Sequence, residues 1–328
     1  MTTKSRRSFI KTLGTGAALS TVAFSSSSVF ASQLINESKK RIRIGIIGAE
    51  NSHTAGFGKM FNTDKKFPGV EVKYVWGETN EFAKIAATKG NIPNIVKDPL
   101  DMIGKIDALI VDHRHAKYHL KAATPFIKEG IPTFIDKPFC YRLEEGKEFL
   151  ALARKHRTPV TSYSSIAHSN STFDMKNQVE SMGEINHVVR YGPVDIESKY
   201  GGIFFYGVHL LQPLMDIFGE DIEKVKVSSE GLKGSASLVF TSGLYATLVF
   251  KTASRGWETF VETEEGLIEL KSRVEESDPA INYVDMVEMF KTGKEPRKHE
   301  SILKGVAVLE ALEKSVLSQK WEKINDNI

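Results

Sequence analysis

Apolar residues along this chain change their spacing twice. The run RIRIGIIG (41–48) is apolar at almost every position and ends in glycine, which predicts a buried parallel strand entering a tight turn. Further strands are predicted over 70–76, 107–111, 132–136 and 159–163. Between them, apolar residues spaced at three and four predict helices over 80–89, opened by Asn80 as a cap, over 116–128, ending at Gly130, and over 143–156. Strand and helix alternating at this interval argue a doubly wound α/β sheet over 41–160. Beyond Ser164 the spacing falls to two. Strands over 184–191, 224–229, 236–240, 245–251, 257–262 and 266–270 are separated by turn signals such as Ser242-Gly243 and Glu265-Gly266. Helices are predicted over 207–218, 281–292 and 301–317. The second part, 161–328, therefore reads as an α+β domain built on a large, mostly antiparallel sheet.

The first 31 residues follow neither pattern. KSRRSFIK (4–11) places Arg6-Arg7 before Phe9 and Lys11 and an Ala-, Gly- and Thr-rich apolar stretch. This is the twin-arginine export pattern, with small residues before a cleavage position after Ala31. The stretch is too short to span a bilayer, so export to the periplasm or beyond is expected, with no stable membrane insertion after processing. Because that route moves folded proteins, it hints at a ligand seated before export. The leader's four bases, Lys4, Arg6, Arg7 and Lys11, exceed the whole formal charge of +3. The remainder is close to neutral and offers no electrostatic case for nucleic acid. Cys140 is the single cysteine, so no intrachain disulfide can form, and its setting after Pro138-Phe139 reads as a small packed residue.

Three separated motifs carry a resemblance. HLKAATPFIKEGIP (119–132) leads into FIDKPF (134–139). GGIFFYGVHLLQPLMDIFG (201–219) follows in the second part. VDMVEMFKTGKEP (284–296) and ILKGVAVLEALEKSV (302–316) close the chain. In order and spacing these resemble the Gfo/Idh/MocA oxidoreductases. The resemblance implies a Rossmann-like domain holding NAD or NADP, expected here to be tightly bound, and a sheet domain that presents a small carbohydrate or polyol. It also implies Lys137 as the catalytic lysine and His209 as the histidine of the substrate-domain helix. Homo-oligomerisation is an expectation of the resemblance alone.

Read without it, Lys137 is a lysine at the carboxyl end of a strand, the edge where open α/β sheets take ligands. A surface role fits it as well. His209 can accept a proton near neutral pH, or bond internally among Val208, Leu210 and Leu211. Other residues on the same edge are expected to line the cofactor: Gly48, Glu50, Asn51, Ser52, His53, Glu78, Asp112, His113 and Asp136.

This sequence departs from the family pattern at three places. Glu50 and His53 stand where the second and third glycines of the phosphate-binding fingerprint belong; an inward carboxylate at 50 would repel phosphate by roughly 1–4 kcal/mol. Gly77 occupies the position of the ribose-binding acid, with Glu78 one residue late. Phe205 and Gln212 replace two acids around His209. These departures support a second reading, a ligand-binding protein or metal-dependent lyase that keeps the fold without the dinucleotide. His113 and His115 beside Asp112 have metal-ligand chemistry but no diagnostic spacing. They read rather as polar lining, and no metal is expected. His168 is a further residue that could face the cleft.

Overall fold

The computed structural model describes residues 41–328 apart from 276, 277 and 326; the twin-arginine leader lies outside the described residues. Residues 41–328 form one compact unit. Its first sheet contains β1 (Ile42–Ile47), β2 (Val70–Trp76), β3 (Asn94–Ile95), β4 (Ala108–Val111), β5 (Thr133–Ile135) and β6 (Val160–Thr161), all parallel, in the order β3-β2-β1-β4-β5-β6. The near-continuous apolar runs follow from helices on both faces: α1 (Ser52–Gly58), α2 (Asn80–Gly90), α3 (His119–Lys128) and α4 (Leu143–His156).

After α5 (Asn170–Glu180) the chain lays down β7 (Ile185–Pro193), crosses through α6 (Ile203–Phe218), and continues through β8 (Ile222–Glu230), β9 (Lys233–Phe240), β10 (Tyr245–Lys251), β11 (Glu258–Thr263) and β12 (Gly266–Glu269). It closes with α7 (Val284–Thr292), α8 (His299–Ser318) and β13 (Glu322–Lys323). The second sheet runs β12-β11-β7-β10-β9-β8-β13, antiparallel except for the parallel pair β7 and β10. Alternate residues of these strands are buried beneath α6 and α8, while the opposite face carries half-exposed side chains such as Tyr245, Thr247 and Val249. Apolar side chains of α4, α6 and α8 join the two sheets in one continuous core. This fixes the carboxyl edge of the first sheet against α6.

The doubly wound sheet followed by a mostly antiparallel one is as expected. Several boundaries differ for identifiable reasons. Thr79, not Asn80, caps α2, its hydroxyl accepting from the amide of Phe82. Residues 116–118 form a tighter 3-10 turn before α3, and 279–283 one before α7. Helix α6 begins four residues earlier than predicted, because its first turn buries Ile203 and Phe204. Helix α5 escaped prediction: it buries only Thr172 and Gln178, and the Ser169 hydroxyl cap on the amide of Thr172 supplies the local signal that apolar spacing does not.

Candidate active site

The turn after β1 is built by close backbone approach. Gly48 has φ +109°, and a Cβ there would lie 2.6 Å from the carbonyl carbon of Asp112. Only glycine fits a contact and a dihedral of this kind. Gly77, after β2, is as tightly enclosed: an added Cβ would stand 2.8 Å from Cβ of Ala49 and 2.9 Å from N of Ala83. No acid fits at 77, and Glu78 supplies the carboxylate instead. Its Oε2 accepts from the amides of Ala49 (2.9 Å) and Glu50 (3.0 Å), and its Oε1 lies 2.8 Å from Nδ1 of His113. Burial opposes this anion, but His113 and the two amides outweigh it and hold the carboxyl down at about 2.

A second cluster sits at the ends of β4 and β5. Asp112 is fully buried. It accepts from Asn51 Nδ2 at 2.8 Å and from Thr54 Oγ1 at 2.5 Å. Asp136 Oδ2 lies 3.1 Å from His53 Nδ1 and 3.4 Å from Lys137 Nζ. Burial and the neighbouring charge of Asp136 raise Asp112 well above the usual carboxylate range. Burial presses on Asp136 too, yet Lys137 and His53 outweigh it and hold Asp136 ionised. Asp136 in turn raises His53. The pair thus divides: Asp112 takes up a proton the more readily and Asp136 is held ionised, the arrangement expected of adjacent buried carboxyls.

Facing this cluster from α6 is His209. It is 6% exposed, as is Lys137. Its Nδ1 lies 2.7 Å from Ser164 Oγ, and Gln212 Oε1 accepts from the Ser164 amide at 2.6 Å. Burial, then the charge of Lys137, push His209 well below the ordinary imidazole value, so it is neutral at pH 7. The rings of Tyr206 and Trp257 stand 5.5 and 5.8 Å from its own. Phe205, where the family pattern has an acid, lies 5.7 Å from Lys137 Nζ.

The anticipated residues therefore separate into groups. Asn51, His53, Asp112, Asp136, Lys137 and His209 converge. Gly48, Glu78 and His113 form the neighbouring anion-holding turn. Glu50 points elsewhere, accepting at 2.5 Å from the hydroxyl of Tyr200, which also receives Arg114 Nη1 at 3.1 Å. The feared inward carboxylate at 50 is thus tethered. Ser52 is exposed and lines a depression of about 510 Å³ with Lys59 and Asp278. The H-x-H pair does not converge: His113 meets Glu78, whereas His115 accepts from the amide of Lys117 and packs on Tyr141. His168 pairs with Asp285 at 2.8 Å and lines a separate depression beside Asp216 and Arg297. Cys140 is buried, and burial pushes its thiol up, which makes it inert.

Sequence reasoning missed Ser164, Tyr200, Arg114, Arg190 and Trp257. Only Arg190 carried a signal: it is a charge in the inward register of an alternating strand. It also missed that His53, Asp112 and Asp136 place one nitrogen and two carboxylate oxygens within 4.8 Å of one another.

With this geometry in place, comparison with known proteins is informative. Residues 42–164 fit the Gfo/Idh/MocA family model, described as an oxidoreductase family with an NAD-binding Rossmann fold. An uncharacterized oxidoreductase of Escherichia coli K12, YhhX, is 32% identical over 122 residues. That alignment spans 34% of this chain and 35% of the relative, so the chain aligns with only a third of that relative's length. Among solved structures, the apo scyllo-inositol dehydrogenase of Lactobacillus casei superposes with a TM-score of 0.72 at 16% identity, covering 87% of this chain and 98% of that one. The myo-inositol dehydrogenase of the same organism, solved with NAD(H) and myo-inositol, gives 0.72 at 13% identity over 87% and 97%. At such identities the likeness establishes the fold, both sheets included, and not the substrate.

Proposed function

We propose that this protein is a nicotinamide-dependent oxidoreductase acting on a secondary hydroxyl of a sugar or polyol. The observation that carries the proposal is the meeting of Lys137 and a neutral His209 at the carboxyl edge of a parallel sheet whose domain matches an NAD-binding oxidoreductase family. The turn fits a dinucleotide: the amides of Ala49 and Glu50 already converge on one anionic oxygen, that of Glu78. The amides of Asn51 and Ser52, beyond the two that Glu78 takes, would hold the phosphates. Glu78 would receive the ribose hydroxyls, which favours NAD over NADP because its carboxylate repels a 2′-phosphate. Asp112 and His113 would border the nicotinamide.

When bound, the oxidised ring supplies a hydride acceptor. The hydroxyl proton passes to His209 Nε2, since Nδ1 is engaged by Ser164. The C–O bond becomes a carbonyl, so one hydride and one proton leave the substrate. Lys137 donates to the same oxygen and steadies the charge that develops there. Asp136 anchors Lys137 at the required place. Tyr206, Phe205 and Trp257 offer apolar faces to a sugar ring.

The twin-arginine pattern at 4–11 supports export with the cofactor already seated. Outside the cytoplasm a redox-neutral cycle suits such a protein: oxidation, then elimination or hydrolysis, then return of the hydride. The half-exposed face of the second sheet is our choice for pairing between subunits. The clustering of His53, Asp112 and Asp136 favours a second, metal-dependent reading, which the ammonium of Lys137 beside Asp136 opposes.

The test is to purify residues 32–328 from cytosol and identify the released ligand by mass spectrometry, with metal analysis on the same sample. Stoichiometric NAD(H), together with a fall in turnover of about 10²–10⁴-fold in Lys137→Met and His209→Gln, is expected. A protein that holds a metal and binds no added nicotinamide cofactor would replace this reading with the second.

A further inference from the structure

Arg190 lies on β7 in the inward register shared by Val188 and Gly192, on the face covered by α6. It is 2% exposed. Its Nη1 donates to Thr259 Oγ1 at 2.6 Å on the paired strand β11, and its Nε has no partner. Among the described residues no carboxylate is within ion-pair distance of it. The contrast is Arg297, also largely buried, whose two terminal nitrogens grip Asp216 at 2.9 and 2.7 Å. Burial alone lowers the Arg190 guanidinium to about 10, so it remains a cation at neutral pH. A buried cation without a counter-ion is costly, and this one has no structural partner that would account for it.

Its surroundings are those of the active site. Trp257 precedes Thr259 by two residues and approaches the His209 ring at 5.8 Å. Gly192 leaves the room the indole fills: a Cβ there would lie 2.3 Å from it. Arg190 is also among the charges felt at His209. Arg190 is thus bonded to Thr259, two residues from the Trp257 ring that meets His209, and is buried as Lys137 and His209 are.

We propose that Arg190 binds a carboxylate carried by the substrate, so that the substrate is a sugar acid or related hydroxy acid and not a neutral polyol. This rests on the oxidoreductase reading above for the reaction, though not for the binding. With Nη1 engaged by Thr259, Nε is the unpartnered donor, and with Nη2 it makes up the guanidinium's side edge. Its two parallel N–H groups match the two oxygens of a carboxylate. A phosphate dianion would bring oxygens that one guanidinium edge leaves unsatisfied. Asp136 already meets the charge of Lys137, so the unpaired guanidinium of Arg190 is the cation left for an anion that enters the cleft.

The experiment is calorimetric titration of the full chain, with its cofactor, using galacturonate, gluconate and tartrate against galactose, glucitol and threitol. Wild type, Arg190→Met and Arg190→Lys are compared, with thermal unfolding of each. At least one acid is expected to bind about tenfold or more tighter than its neutral counterpart. That ratio falls to about one in Arg190→Met and recovers in part in Arg190→Lys. The melting midpoint of Arg190→Met is expected to equal or exceed that of wild type, because an unpaired buried charge has been removed. Should Arg190→Met fail to fold, Thr259→Val removes the anchor of Nη1 and should cut the preference severalfold. Equal binding of acids and neutral forms by wild type, or no binding of any acid, overturns the proposal. So does an unchanged acid preference in Arg190→Met. Binding is read without turnover: acid binding with no NAD(P)H formed would sink the oxidoreductase reading alone, and NAD(P)H formed only from neutral polyols would sink the carboxylate site alone.

Discussion

Glu78 Oε2 accepts the backbone amide of Ala49 at 2.9 Å, so a side chain that follows β2 satisfies the turn that follows β1. The amide of Glu50 joins it at 3.0 Å. The turn has thereby been built as an anion holder even though two of its usual glycines are missing. The carboxylate now on the amides is also the one placed to meet a ribose.

Replacing Glu78 by Gln should therefore change selectivity, along with the stability that its ionised carboxyl lends to the turn. The amide oxygen keeps an acceptor for Ala49 and Glu50, while the charge that repels a 2′-phosphate is gone. A close like-charge contact near a protein surface is worth about 1–4 kcal/mol. The preference for NAD over NADP should fall by about tenfold or more, read as the ratio of the two dissociation constants by fluorescence titration. An unchanged ratio would mean that Glu78 does not face the ribose.

His119 makes stability depend on pH in a separate way. Its ring nitrogens lie 3.0 Å from the Pro138 carbonyl and 2.8 Å from that of His113. Burial outweighs those carbonyls and lowers the imidazole from 6.5 to about 4. The unfolded chain then takes up a proton near pH 6.5 that the folded chain refuses until about pH 4. The contribution is fully present above 6.5 and is lost as pH falls through that window, by about 3 kcal/mol in all. His209, lowered in the same direction, adds to the loss. His53 is raised, so its stabilisation is instead present below 6.5 and lost as pH rises through its folded value. Asp112, also raised, acts in the same sense as His53 and opposes the loss, so the quantity that isolates His119 is a difference: in urea unfolding at pH 7.0, 5.5 and 4.5, wild type should lose more of its midpoint on acidification than His119→Gln does. Glu78 would not obscure this, because its own contribution is lost only as pH falls from 4.5 towards 2.

These cases mark what the sequence disclosed. The two spacings of apolar residues announced both sheets, since burial on two faces or on one dictates them. The positions of Lys137 and His209 were legible through the motifs that carry the family resemblance. The roles of Glu50 and Glu78 were not, because each depends on a contact between distant segments: Tyr200 for the first, and the packing that excludes any side chain at Gly77 for the second. Arg190 was visible as a charge in an apolar register, but that it has no counter-ion could be known only once β11 had been laid beside β7. Ser164 offered no signal, because its meaning comes entirely from the imidazole 45 residues away.

The Tyr200 hydroxyl supplies the last prediction. It donates to Glu50 of the turn after β1 at 2.5 Å, and the Arg114 guanidinium lies over its ring at 4.1 Å. Tyr200 sits just before α6, so this contact straps the turn of the first sheet to the helix that carries His209. A cofactor seated between them would have to break the strap to leave. Tyr200→Phe keeps the ring for Arg114 and removes only the hydroxyl. The loss of one hydrogen bond to a charged group, about 1.5–3 kcal/mol, should speed release of NAD by about tenfold or more, measured by stopped-flow displacement. Turnover should change less than release does, because neither Lys137 nor His209 bonds to Tyr200. If release is unchanged while turnover collapses, Tyr200 acts on the substrate side and the strap does not govern retention of the cofactor.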